Sequence, residues 1–559
     1  MYSDKENINI LTALLVQHGV KHVVVCPGSR NSALTHNFNE HPALICHPMT
    51  DERSAGFLAL GIALQNKDEL VAVCVTSGSA LLNVLPAVAE ASYQHCRMIV
   101  ISADRPAQWV DQLDGQTIPQ VGALGNFVTK TVNLPEPKNE EERWYCNRLV
   151  NEVVIATLRT NRPVHINVPI TEPFFSFTTP CLVEQRKVSY IDWGKDSSKD
   201  DILEIVKNAK RPMVVFGQIE KNQIPQTVSE IDSEICILHE PLSVSGLENC
   251  LTDQMLSVIE DKKPFEPDVL FYFGGHTVSK RLRHFMRQFS DKCNVVMVDE
   301  DGELRDISMH AKTLIHGKTA DVASVVFDYI KQNVNAFDSS YSALWRDLRK
   351  KVRIQHDSFN PDYSSMKAVM LFEERYGDEI VHYANSMSVR LGTVYCEGKY
   401  RYCNRGINGI EGSLSTAAGA SLALQQGSSA QGKVQKVFCV IGDLSFFYDE
   451  NALWQQQLSG NFRILLLNNN EGTIFRNLKG LEASPVRDTM IAASHNLSAE
   501  GICMQFSLTY KKVTCDAELQ NAIDWLGSVE SNRPVVLEVI TKAEEDERVY
   551  KEYYKELKD

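Results

Sequence analysis

Two short stretches place oxygen-bearing side chains where a hard cation or a phosphate could be held. Val437-Phe438-Cys439-Val440-Ile441 runs into Gly442-Asp443-Leu444-Ser445, and Ile464-Leu465-Leu466-Leu467 runs into Asn468-Asn469-Asn470-Glu471-Gly472. Each apolar run reads as a buried strand, and the 26 residues from Asp443 to Asn469 leave room for one crossover helix. Parallel strands joined in that way end at the same sheet edge, so a carboxylate and an amide oxygen would lie side by side. Hard oxygen ligands of this kind suit Mg²⁺, which takes one or two protein groups and completes its octahedron with phosphate oxygens and water. Gly442 would let the backbone approach a phosphate closely, and Ser445 near the following helix start could donate to it. Taken singly, Asp443 reads more readily as a helix cap and Asn468-Asn469-Asn470 as a turn. The pairing at this spacing is what points to a ligand.

The elements that must position these residues are those of an α/β protein. Short β-branched runs ending in Gly or Pro alternate with helical stretches along all 559 residues, as in parallel sheets covered by helices on both faces. In the first third, Val20–Cys26, Val71–Val75, Met98–Ile101 and Val164–Val168 read as strands whose ends are candidate site loops. Glu172–Asp201 loses periodicity and collects Pro, Ser, Thr and Lys, as a connection would, and Asp338–Ser364 reads as a second, helix-like linker. Three domains are expected, spanning 1–180, 195–335 and 360–559. Arg162-Pro163-Val164 near the end of the first resembles Arg533-Pro534-Val535 near the end of the last, which permits the idea that these two share a fold.

Composition excludes several classes. Hydrophobic residues at 43% and charged residues at 23% exclude collagen-like and disordered chains. A net charge of -14 would repel a polyanion, so nucleic acid is not expected as a partner. No apolar run approaches the ~20 residues that span a bilayer, and Met1-Tyr2-Ser3-Asp4-Lys5-Glu6 lacks a basic region followed by an apolar one. The expectation is a cytoplasmic protein without membrane insertion. The 14 cysteines form no CxxC pair and read as reduced core residues.

The Gly-Asp and Asn-Asn pairing resembles the signature of thiamine-diphosphate-dependent enzymes. That resemblance implies three doubly wound parallel-sheet domains, with Asp443, Asn469 and the backbone carbonyl of Glu471 as ligands of Mg²⁺ or Mn²⁺. Leu444 stands where most of the superfamily has a second Gly. Such enzymes need a carboxylate facing N1′ of the aminopyrimidine, and Asp51-Glu52-Arg53-Ser54-Ala55-Gly56 offers Glu52 as the catalytic candidate. Burial under the apolar helix Ala55–Leu64 is expected to raise its pKa. By itself, Glu52 would read as an acidic residue complementing a helix N-terminus. Ile410 falls where the superfamily places an apolar prop under the cofactor, and Ser386 and Ile474 join the implied cofactor contacts.

Cationic residues beside Gly, Ser or Asn turns narrow the substrate class, because several arginines converging would suit a substrate bearing several carboxylates. They occur in Pro27-Gly28-Ser29-Arg30, Asp104-Arg105-Pro106, Ser279-Lys280-Arg281, Ser388-Val389-Arg390 and Asn404-Arg405-Gly406. Across essentially the whole chain these stretches, with Ser415-Thr416-Ala417-Ala418-Gly419, resemble the 2-succinyl-5-enolpyruvyl-6-hydroxy-3-cyclohexene-1-carboxylate synthase family of menaquinone biosynthesis. Leu444 is ordinary for that family, and Ala33 departs from the Pro expected there. The resemblance implies a decarboxylating condensation of 2-oxoglutarate with isochorismate. Ser29, Arg30, Arg105, Gln116, Lys280, Arg281, Arg390 and Arg405 would contact substrate, with Arg390 and Arg405 counted among the catalytic residues. Ile474, Phe475 and Leu478 would form an apolar wall. It also implies a homodimer or homotetramer with sites between chains. The alternatives are another thiamine-diphosphate 2-oxo-acid decarboxylase or carboligase, or a non-catalytic binding relative.

Overall fold

Side-chain alternation along Val71–Val75 shows why the strands read as continuous apolar runs. Val71, Val73 and Val75 enter one apolar cluster with Val24, Val88 and Met98. Ala72 and Cys74 enter another with Val23, Ile99 and Ile101. A strand buried on both faces carries no polar side and needs helices above and below it.

The computed structural model describes all residues except 66–68, 196, 220–222, 244–246, 248–250, 397, 427–433 and 559. The chain divides into two compact units, Met1–Ser198 with Asp299–Gly317, and Lys199–Val298 with Lys318–Asp559. In the first, β1 (His22–Val25), β2 (Ile45–Pro48), β3 (Val71–Val75), β4 (Met98–Asp104), β5 (Thr131–Asn133) and β6 (Val164–Pro169) form a parallel sheet in the order β2-β1-β3-β4-β6-β5. The same unit carries β7 (Ser189–Asp192).

In the second unit, β8 (Pro212–Phe216), β9 (Cys236–Leu238), β10 (Val269–Phe273) and β11 (Asn294–Asp299) run in parallel in the order β11-β10-β8-β9. Strand β12 (Ala311–His316), of the first unit, pairs in parallel with β7. The last sheet, again in the second unit, comprises β13 (Ile380–Tyr383), β14 (Val437–Gly442), β15 (Phe462–Asn468), β16 (Thr509–Val513) and β17 (Val535–Ile540), in the order β13-β14-β15-β17-β16. The architecture is α/β with three parallel sheets.

The last sheet repeats the strand order of the first without its edge strand β2. Arg162-Pro163 and Arg533-Pro534 precede β6 and β17, which occupy the same place in the two orders. The short sequence match therefore marks topologically equivalent strands.

The connection from β14 to β15 differs from the single crossover helix expected. It holds the six-residue helix Asp443–Tyr448 and a 3-10 turn, Glu450–Trp454. Asp449 leaves helical geometry, and its carboxylate turns back to accept from the backbone N–H and hydroxyl of Ser415 at 2.7 and 2.6 Å. Short side chains that bond backbone groups in this way compete with helix continuation. Among the described residues all cysteines are free, and no helix is long and apolar enough to cross a membrane.

Candidate active site

Strands β13, β14 and β15 are neighbours, so their carboxyl ends bring three loops together. Asp443 is buried and opens the helix Asp443–Tyr448, with Gly442 rather than Asp443 at the cap position. Its Oδ1 accepts the Leu444 N–H at 2.7 Å, and its Oδ2 accepts the Asn469 N–H at 3.1 Å. The carboxylate thus spans the two strand ends that the sequence pairs. Ser445 lies buried two residues on, and Ser386, at φ +73°, occupies the N-terminal cap position of the helix after β13 without a side-chain cap bond. Ile474 and Phe475 are half-buried on the 3-10 turn Thr473–Asn477, and Leu478 follows at the surface. Ile410 is half-buried in the loop before the helix Ser413–Gln426.

The three asparagines have different tasks. Asn468 donates to Glu538 Oε1 at 2.7 Å and to Leu497 O at 2.9 Å, which ties it into the sheet. Asn469 donates its Nδ2 to Asp546 Oδ2 at 2.8 Å, so its Oδ1 faces the other way. Asn470, at φ +67°, makes the reversal that follows. Asp546 is buried and also accepts from Ser365 N and Oγ at 2.7 and 2.6 Å, and burial raises its pKa above the usual carboxylate range. The Glu471 carboxylate is engaged by Arg476 and by Ser494 Oγ at 3.2 Å, and the backbone carbonyl of Glu471 accepts the Thr473 N–H at 3.1 Å. Arg476 in turn reaches Glu544 at 2.8 Å.

A further residue, His495, stands beside this pair. The Leu497 N–H donates to its Nδ1 at 3.1 Å, which leaves the ring proton on Nε2, 3.5 Å from Asp443 Oδ2. No sequence signal marked His495 or Asp546, because each acts from a segment distant in sequence. The donor set of Asp443, the Asn469 amide oxygen and a backbone carbonyl is one of hard oxygens and fits Mg²⁺ or Mn²⁺.

The cations of the second unit gather beside the same edge. Arg405 is buried, donating to Asn385 Oδ1 at 2.8 Å and to Thr277 O at 3.1 Å, with its Nε unpartnered. Asn385, at the end of β13, also donates to the carbonyls of Asn404 and Gly409 at 2.7 and 2.6 Å. It therefore holds the loop that carries both Arg405 and Ile410. Arg390 donates to Val278 O at 3.4 Å. Burial and the like charges of Arg390 and Arg283 lower the pKa of Lys280, which marks a cluster short of anions. Arg283, absent from the sequence reading, belongs to that cluster. Arg281 does not: it donates to Asp253 Oδ2 at 2.5 Å and lies 4.4 Å from the Tyr554 ring. The expectation that Arg281 clamps a ligand carboxylate meets a guanidinium already occupied, because successive residues on a helix point in different directions.

In the first unit, Arg30 is buried, donating to Ile170 O at 3.1 Å and Glu172 Oε1 at 2.9 Å, with Phe174 against its guanidinium. Arg105 pairs with Asp114 at 2.5 Å and reaches Ser77 Oγ at 3.4 Å. Gln116 is exposed, at φ +56°, against Gly78, where a Cβ would stand 3.2 Å from the Gln116 backbone. Ser29 is exposed beside Gly28, whose missing Cβ would lie 2.4 Å from Thr76. Glu52 begins the helix Glu52–Gln65 and accepts from Asn83 Nδ2 at 3.1 Å. The expected burial of Glu52 by that helix is not met within one chain, where Glu52 is half-exposed. The helix turns Ala55 and Ala59 inward, and Phe57 and Leu58 outward at 44% and 37% exposure.

The family model described as thiamine pyrophosphate enzyme, N-terminal TPP binding domain, matches residues 8–123. The 2-succinyl-5-enolpyruvyl-6-hydroxy-3-cyclohexene-1-carboxylate synthase of Bacteroides thetaiotaomicron is 39% identical over 581 aligned positions, covering 100% of both chains. That of Bacteroides fragilis is 38% identical, with 100% of both chains covered. That of Porphyromonas gingivalis is 31% identical, covering 99% of this chain and 97% of its own.

Proposed function

This chain belongs to the 2-succinyl-5-enolpyruvyl-6-hydroxy-3-cyclohexene-1-carboxylate synthase family, and from that we propose that it condenses 2-oxoglutarate, with loss of CO₂, onto isochorismate in a 1,4 sense. The observation that carries this reading is the placement of Arg390, on the helix Met387–Tyr395 that follows β13, and of Arg405, whose guanidinium meets Asn385 just beyond the end of β13, one strand from Asp443. Cofactor chemistry and carboxylate recognition thereby share one sheet edge.

Thiamine diphosphate, when bound, supplies a nucleophilic carbon and takes up the electron pair released as CO₂ leaves. Asp443, the Asn469 amide oxygen and the Glu471 carbonyl would hold Mg²⁺ or Mn²⁺ against the diphosphate, with Gly442, Leu444, Ser445 and Ser386 around it. Ile410 and Ile474 supply apolar contact. Glu52 would hold a proton at N1′ of the aminopyrimidine and exchange it. Arg390 and Arg405 take the carboxylates nearest the reacting carbon, including the distal one of 2-oxoglutarate. Lys280, with Arg30 and Arg105, is assigned to isochorismate and Gln116 to a hydrogen bond with substrate or intermediate, while Arg281 braces the Lys280 helix through Asp253. Phe475 and Leu478 exclude water.

The outward apolar residues of the helix Glu52–Gln65 support a homodimer or homotetramer, since such residues seek cover. Free cysteines throughout the described residues suit a reducing cytoplasm. The test is product formation from 2-oxoglutarate plus isochorismate, dependent on thiamine diphosphate and Mg²⁺. Equal use of pyruvate and 2-oxoglutarate would overturn the substrate assignment.

A further inference from the structure

Glu240 follows β9 and is buried at 4% exposure, with both carboxylate oxygens engaged. Oε2 accepts the Val278 N–H at 2.6 Å, and Oε1 accepts the Ser279 N–H at 2.7 Å. The carbonyls of those same two peptide groups are Thr277 O and Val278 O. They are the acceptors for Arg405 Nη2 at 3.1 Å and Arg390 Nη1 at 3.4 Å. A trans peptide is planar, and its N–H and C=O point in opposite directions. Holding the two N–H groups from one side therefore aims the two carbonyls to the other side, toward the arginines.

The arrangement is also matched in charge. A carboxylate at the N–H end of each peptide group polarises its carbonyl, and the polarised carbonyl is a better acceptor for a guanidinium. Burial makes the effect larger than it would be in water. Ser279, the second donor to Glu240, caps the helix Lys280–Met286 by accepting the Leu282 N–H at 3.0 Å. The start of the helix bearing Lys280 is thus set by the same anchor. Glu240 touches none of the groups assigned to substrate. It reaches Arg390 and Arg405 through one three-residue loop.

We propose that Glu240 is a positioning residue that sets Arg390 and Arg405 for recognition of a dicarboxylate 2-oxo acid through the peptide groups of Thr277–Ser279. The inference rests on the proposed function, in that it takes these cations to receive substrate carboxylates.

The test is Glu240→Gln in the holoenzyme, with decarboxylation measured on 2-oxoglutarate and on 2-oxobutyrate, which lacks the distal carboxylate. The amide keeps the side chain's shape but faces one backbone N–H with a second donor. Loss of one well-aimed charge-assisted contact should lower kcat/KM for 2-oxoglutarate about 10- to 150-fold. The effect should fall mainly on KM, with 2-oxobutyrate turnover and the affinity for thiamine diphosphate little changed. Equal losses on both acids, or none on either, would overturn the inference. If the unmutated protein does not itself prefer 2-oxoglutarate, the proposed function fails and takes the inference with it. If the preference exists and survives Glu240→Gln, the inference alone fails. Should Glu240→Gln not fold, Glu240→Asp keeps the charge and withdraws it by one methylene. A smaller but still selective loss is then expected, and an unselective one overturns the inference.

Discussion

Asp443 Oδ2 accepts the backbone N–H of Asn469 at 3.1 Å, so one carboxylate closes the gap between the ends of β14 and β15 before any cation is considered. The Asn469 amide is turned by Asp546 so that its oxygen faces away from that acid. Two carboxylates therefore hold this one residue, Asp443 at its backbone N–H and Asp546 at its side-chain Nδ2.

Asp443→Ala should abolish the rise in melting temperature caused by thiamine diphosphate with Mg²⁺, leaving the melt without cofactor close to that of the unmutated protein. Ligand binding to the folded state alone is what produces such a rise. Asp546→Ala should weaken Mg²⁺ about 10- to 100-fold, as groups that orient a metal ligand do. An unchanged shift in the first variant would leave Asp443 as a helix-terminal acid.

Glu52→Gln should keep thiamine diphosphate bound while losing turnover by ~10²–10⁴-fold or more, the range of general acid-base assistance. Hydrogen-deuterium exchange at C2 of the bound cofactor reads the step directly. Exchange at the unmutated rate would remove Glu52 from it.

Lys280 and Arg281 are adjacent, yet the structure separates their tasks. Arg281→Ala removes a guanidinium held by Asp253 and packed on Tyr554, so it should lower the melting temperature more than it alters KM. Lys280→Ala removes a cation crowded by Arg390 and Arg283 and should raise KM with little change in melting. The reverse pattern would show that Arg281 leaves Asp253 to meet substrate.

Stability should fall in acid. His165 is fully buried, with Nε2 2.7 Å from Ser102 Oγ, and burial lowers its pKa to about 4. The unfolded chain takes up that proton near pH 6.5 and the folded one only near 4. Stability is therefore lost as pH drops through that window, by about 3 kcal/mol for this group. His165→Gln should flatten the acid limb of melting temperature against pH. An unchanged limb would show that His165 contributes nothing to it.

The Asp443–Asn469 pair was legible because it depends only on local facts. Two apolar runs had to be parallel strands, and parallel strands joined by one crossover end at one edge. The match of Arg162-Pro163 with Arg533-Pro534 was legible for a similar reason, since a proline entering a buried strand leaves its mark in the sequence. The strand orders show that the marks fall on equivalent strands. Short edge strands such as Ile45–Pro48 and Thr131–Asn133 escaped the reading, because edges lack the continuous apolar signal of doubly covered strands.

How each cation is held was decided only by tertiary structure. Arg30 and Arg281 look like Arg390 and Arg405 in sequence, but Glu172 and Asp253, 142 and 28 residues away, come to pair with the first two, whereas the last two donate to carbonyls of the 277–279 loop. The same holds for Asp546 behind Asn469 and Glu240 behind the 277–279 loop, each more than 35 residues from the group it holds. Residue type and spacing determine what chemistry a loop can offer. The partner that occupies or orients each side chain comes from chain folded back from far away, and no local pattern records it.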